Sequence, residues 1–238
     1  MRSDMTKEKQ RLIDMLKENK ISEADYKLLS AVIDKKPSRF SSIFSLCFNP
    51  FQKIAGFYAL ISGLMIIIGM SYLGKIGKFY SIGIVGCLNA SVIKNPKVAP
   101  TFFLLLYQNL IVWLVVAFLF IMFAKIFQKK RLRLVDFFGT VALARFPFLI
   151  LMIFLVIMRF ASPSSMNIDL AKGLPLHPSI FMSLLSAVVI LCFIWEIVTY
   201  FYALAESSGL VGKKLWVSFI LALIFGEIIT SPLSMIFF

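Results

Sequence analysis

One histidine, three cysteines and a charged fraction of only 16% set the first limits on this 238-residue chain. His177 stands alone between Pro175 and Pro178, which suits a loop residue better than a catalyst or metal ligand. Cys47, Cys87 and Cys192 are dispersed and show no C-x-x-C or metal-ligand spacing, which argues against a disulfide framework or a zinc site. The sequence contains no P-loop, G-x-G-x-x-G, H-E-x-x-H or G-x-S-x-G, and LVGKK lacks the P-loop spacing. Nothing therefore points to an enzyme: no catalytic residue, cofactor or metal is expected.

Apolar residues are what the chain has in excess. They make up 60% of it, with a mean hydropathy of +0.89, whereas soluble domains are roughly 45–50% apolar and about 25% charged. The surplus needs lipid, and an ordinary soluble domain, a disordered chain and a collagen are all excluded. A spanning helix takes about 20 mostly apolar residues. Five segments qualify, at about 54–73, 102–123, 137–158, 180–204 and 215–238. Their runs are continuously apolar, whereas barrel strands alternate. The expected fold class is all-α: a polytopic bundle of about five transmembrane helices over 54–238, preceded by a helical hairpin at 1–36 and a basic, aromatic juxtamembrane segment at 37–53.

The formal charge of +13 would suggest nucleic acid in a soluble protein. Here the basic residues are divided among short segments on two sides of a bilayer, so no nucleic-acid partner is expected. Of the 25 Lys and Arg residues, 18 fall before the first span or in the second-to-third and fourth-to-fifth loops; 6 fall on the other side, and Arg145 lies within a span. That bias places the N-terminus in the cytoplasm and the C-terminus opposite, in the cell (inner) membrane. About fifty residues precede the first span with no cleavable signal peptide, so that span is expected to act as the signal anchor.

Within residues 1–36, Leu12, Ile13, Met15 and Leu16 recur at helical spacing. Ser22 can cap a second helix, with Asp25 three positions on and Tyr26, Leu29, Val32 and Ile33 along one face. The stretch LKENKISEADYKLLSAVI is similar to the short helical hairpin called SHOCT. It is read as a solvated hairpin that leaves room for a protein partner or a second copy of the chain. Lys35, Lys36, Arg39 and Lys53 flank SSIFSLCFNPF and are expected to meet the anionic inner leaflet.

Three charged residues lie clearly inside spans: Arg145, Glu196 and Glu227. Each costs a few kcal/mol at the bilayer centre unless paired. Counted inward from the cytoplasmic ends they lie ~14, ~12 and ~18 Å deep, so Arg145 is expected to pair with one or both glutamates in a single layer. Two carboxylates against one guanidinium leave a negative surplus that protonation of one glutamate relieves. Pro147 and Pro232 free the carbonyls of Leu143 and Ile228 near this layer and predict kinks. Gln108, Asn109, Thr199, Tyr200, Thr230 and Ser231 are read as interhelical hydrogen bonders. Ala55, Ala59 and Gly63 form a small-residue stripe suited to close packing against a helix of this or another chain. The run FYSIGIVGCL between the first two spans is too short to cross, and is expected to pack on the helix ends, with re-entry as the alternative.

Five spans, a basic cytoplasmic N-terminus, and the passages DFFGTVALARFPFLI and YFYALAESSGLVGKKLWVSFILALI together resemble the Yip (Ypt-interacting protein) family of multi-span membrane proteins, over roughly residues 45–238. The resemblance implies an integral membrane scaffold. Eukaryotic members are associated with Rab-type GTPases, vesicle traffic and membrane shaping, while prokaryotic members mostly lack an assigned activity. The chain has no long acidic or Tyr- and Pro-rich N-terminal region, so only the architecture is carried over. Two functions follow as expectations. One is a non-enzymatic scaffold organising protein partners or lipids; the other is a small transporter, channel or lipid-translocating protein using Arg145, Glu196 and Glu227.

Overall fold

A computed structural model describes residues 13–16, 18, 22–23, 25–26, 47–82, 84, 86–89, 100–127, 132–161, 180–234 and 236. The chain divides into two units, Met1–Cys47 and Phe48–Phe238. In the first, residues 13–16 are helical and the Glu18 N–H donates to the Asp14 carbonyl at 3.0 Å. Ser22 caps the following turn as its sequence position predicts: its Oγ accepts from the Asp25 N–H at 3.1 Å and donates to Asp25 Oδ2 at 2.7 Å. The remainder of the expected hairpin, with Leu29, Val32, Ile33, Lys35, Lys36 and Arg39, lies outside the described residues.

The second unit contains α1 (Gly56–Gly77), a β-hairpin of β1 (Phe79–Ile82) and β2 (Gly86–Asn89), α2 (Phe102–Phe127), α3 (Leu134–Leu143), α4 (Phe146–Ala161), α5 (Ile180–Ser208) and α6 (Lys213–Ser234). With α3 and α4 taken as one interrupted span, five helices among the described residues are long and apolar enough to cross a membrane. The fold is the all-helical bundle expected from the sequence. The last helix is described over Lys213–Ser234, and residues 235, 237 and 238 of the span read from hydropathy lie outside the described residues.

Contacts between helix ends define the two sides of the bundle. On the side where α1 begins, Glu206 near the end of α5 accepts from Asn49 Nδ2 at 2.8 Å and from Gln52 Nε2 at 3.4 Å, and Gly139 of α3 lies against the backbone of Gly56 and Leu60. On the other side, Arg159 of α4 donates to the Gly77 carbonyl at the end of α1, and Gln108 of α2 donates to the Ser234 carbonyl at 2.7 Å. Successive spans therefore run in opposite directions. The turn between α5 and α6 uses Gly209 (φ 66°), whose N–H donates to the Ala205 carbonyl at 2.8 Å; this left-handed cap satisfies a helix-terminal acceptor.

The third span is broken rather than kinked. Pro147 has no N–H to give the Leu143 carbonyl and its ring crowds that carbonyl, so α3 ends at Leu143. Ala144 and Arg145 form a turn in which the Arg145 N–H points back to the Ala142 carbonyl at 3.4 Å. A new helix then starts with proline at its second position, where the missing donor costs nothing.

Much of α1 packs on α3 through small residues. A Cβ built on Gly63 would stand 2.3 Å from Ala142 Cβ and 2.7 Å from Leu143 N, and one on Gly139 would stand 2.9 Å from the Gly56 carbonyl oxygen and 3.1 Å from Ala59 Cβ. The small-residue stripe thus finds its partner within the chain at Ala59 and Gly63. Ala55 takes no part in this packing; it caps α1 and is exposed.

The first interhelical loop departs most from expectation. Residues 79–89 form an antiparallel hairpin, Phe79 opposite Asn89 and Ile82 opposite Gly86, which turns back between the helices instead of lying over their ends. Tyr80 and Ile84 are buried. Ile84 Cδ1 occupies a position 2.6 Å from where a Cβ on Gly226 would be, with Leu119 on the other flank. Gly226 lies eight residues, about 12 Å, inside the end of α6. Unpaired strand backbone at that depth is tolerated only within a protein-lined space, which α1, α2 and α6 supply.

Candidate functional site

The break in the third span places Arg145 at the centre of the bundle. Its side chain is 0% exposed, as is that of Glu196 on α5, and the two are separated by 3.8 Å between Nε and Oε1. Nη1 donates to the Asn109 carbonyl of α2 at 3.4 Å, and the guanidinium carbon lies 5.5 Å from the centre of the Phe148 ring, a cation–π distance. Asn109 extends the set to α1: its Nδ2 donates to Ser71 Oγ at 3.1 Å, and Ser71 donates in turn to the Ile67 carbonyl at 2.8 Å.

On α5 the polar residues recur at helical spacing. Thr199 Oγ1 lies 2.8 Å from both the Ala144 and the Glu196 carbonyls, so its one proton tethers the broken backbone to α5. Tyr200, one turn beyond Glu196, is fully buried with its ring edge-on to Phe120. Trp195 meets Phe146 edge-to-face, with ring centres 5.0 Å apart, on the other side of the break. Four of the five spans thus meet at one layer around Arg145.

The structure brings together two of the three charges expected there. Arg145 and Glu196 pair, but Glu227 is employed elsewhere. Its Oε2 accepts from the Ile84 N–H at 2.9 Å, so this carboxylate holds the hairpin tip. Counting depth along α6 could not reveal this, because the partner is backbone from a loop read as lying outside the bundle. Substitution separates the two roles. Glu227→Gln keeps an acceptor oxygen and is expected to leave the hairpin in place. Glu227→Leu orphans the Ile84 N–H and is expected to cost about 1–3 kcal/mol, read as a lowered unfolding midpoint in detergent micelles.

Among the other residues singled out from sequence, Lys53 is exposed beside the short helical turn Pro50–Gln52, and His177 lies outside the described residues. Asn109, Thr199 and Tyr200 prove central, whereas Gln108 and Thr230 serve α6: Gln108 reaches the Ser234 carbonyl, and Thr230 bonds within its own helix to the Gly226 carbonyl at 2.8 Å. Ser71 was not anticipated; a serine four residues after an isoleucine on a small-residue helix is the one signal that could have raised it. Among the described residues no three His, Cys, Asp or Glu side chains group around a common point that could hold a metal ion. The layer can hold charge and hydrogen bonds. Comparison with protein-family profiles, curated proteins and solved structures finds no match.

Proposed function

We propose that this chain is a non-enzymatic integral membrane protein of the Yip type, a scaffold that organises protein partners or lipids in the cell membrane. Complete burial of Arg145 and Glu196 carries the reading. The charged groups face inward and join four spans, while the outer faces of α1 and α6 present Phe57, Ile61, Met65, Trp216, Ile220 and Ile224 to their surroundings. A bundle with apolar walls and a separate N-terminal unit suits a protein that positions other molecules. In proteoliposomes the purified chain is expected to give ion leak and lipid scrambling equal to protein-free vesicles, and to migrate in native membranes as a complex that shrinks when residues 1–36 are removed.

A transporter or lipid-translocating protein is the second reading, favoured by the interrupted third span and the re-entrant hairpin. Both place non-helical backbone at membrane depth, a feature of substrate and ion sites. Flux above the protein-free level that Glu196→Gln abolishes would replace the scaffold reading with this one.

A further inference from the structure

We infer that the layer bounded by Arg145, Glu196, Tyr200 and Asn109 is a buried hydration site, binding a small cluster of water molecules at the break in the third span. The argument is one of donors and acceptors. Arg145 Nε and Nη2, both Glu196 oxygens, the Tyr200 hydroxyl and Asn109 Oδ1 are buried and have no hydrogen-bond partner among the described residues. The approach of Nε to Oε1 at 3.8 Å exceeds hydrogen-bond length. The guanidinium Nε therefore stands close to the Glu196 carboxyl group without meeting it, and the Tyr200 hydroxyl and Asn109 Oδ1 are likewise left unmet. Buried polar groups in native proteins are almost always satisfied, and low dielectric makes each omission expensive.

The chemistry of these atoms selects the occupant. It must both donate and accept, because unmet groups of both kinds surround it. It is small, because Arg145, Glu196 and Tyr200 are all 0% exposed and leave no opening for a lipid headgroup. Water meets each condition, and a buried water ordinarily takes two to four polar partners. The helix break contributes directly: Arg145 lies in the turn between α3 and α4, and Thr199 already donates to the Ala144 carbonyl there, so the unmet donors are those of the guanidinium. This inference goes beyond the scaffold reading and does not depend on what the chain organises.

The test is water-to-protein magnetisation transfer by solid-state NMR on the full chain in lipid nanodiscs, observed at the Arg145 guanidinium nitrogens and assigned by their loss in Arg145→Lys. Hydration is expected to give strong transfer to Nε and Nη2 despite complete burial. Tyr200→Phe, which removes one bridging partner, weakens that transfer, and Glu196→Gln, which keeps the acceptor geometry, preserves it. Absence of water transfer in the wild-type chain overturns the proposal, whether the guanidinium then shows a direct contact to Glu196 or transfer from lipid protons. The wild-type measurement decides even if a variant fails to fold. Loss of partner complexes with transfer intact would remove the scaffold reading alone.

Discussion

Arg145→Met is expected to destabilise the bundle by about 3–5 kcal/mol, the cost of leaving a buried charge without its partner. The substitution preserves much of the side chain's length and volume while removing the cation paired with Glu196 and the donor to the Asn109 carbonyl. Removing the carboxylate as well is expected to restore most of the loss, because a layer with neither charge pays no desolvation penalty: Arg145→Met/Glu196→Leu should unfold closer to wild type than to the single variant. Equilibrium unfolding in mixed detergent micelles measures both, and adding Glu196→Leu completes the double-mutant cycle that gives the coupling energy. A single variant as stable as wild type would show that the pair neither joins the helices nor forms a site, and would undermine the functional readings together.

The second large effect is steric. Gly63→Ala places a methyl 2.3 Å from Ala142 Cβ and within 2.8 Å of two backbone atoms of α3, Leu143 N and Ala142 C. Backbone cannot rotate away as a side chain can, so α1 and α3 must separate, at a cost of about 1–3 kcal/mol. Gly69→Ala, on the same helix, is the control. Its Cβ would meet only Leu149 Cδ1 at 3.4 Å, and the gain in helix propensity should leave stability unchanged or slightly raised. Ala142→Gly is expected to rescue Gly63→Ala only in part, since the backbone contacts persist. Thermal unfolding of the three variants side by side checks the order.

Why some of this was readable from sequence and some was not comes down to which physical constraints act locally. Length and apolarity alone locate five spans, because the hydrocarbon layer imposes both on any crossing helix. Pairing of Arg145 with Glu196 was legible because an isolated charge in lipid is too costly to persist. The Ser22 cap was legible because a helix terminus satisfies its N–H groups within three residues. Glu227 was misplaced because its partner lies 143 residues away in the chain. The hairpin was missed because FYSIGIVGCL, apolar and too short to cross, gives the same hydropathy as a loop or a helix fragment. Its aromatic and β-branched residues, separated by Gly83 and Gly86, were the available strand signal. Asn109, Ser71 and Tyr200 sit on helices so uniformly apolar that pattern alone does not say which face turns inward.

The hairpin also orders events during synthesis. Residues 79–89 cannot enter hydrocarbon alone, since their unpaired backbone would be stranded there. The groups that receive the tip, Gly226 and the Glu227 carboxylate, belong to the last span, and at about 5–20 residues per second a ribosome takes roughly 7 to 29 s to make the 143 residues between Ile84 and Glu227. Throughout that interval the first loop waits at the membrane surface. Insertion of α6 is therefore the step that supplies the partners of the hairpin tip, and in a chain truncated before Lys213 the Ile84 N–H is expected to exchange with water faster than in the full chain.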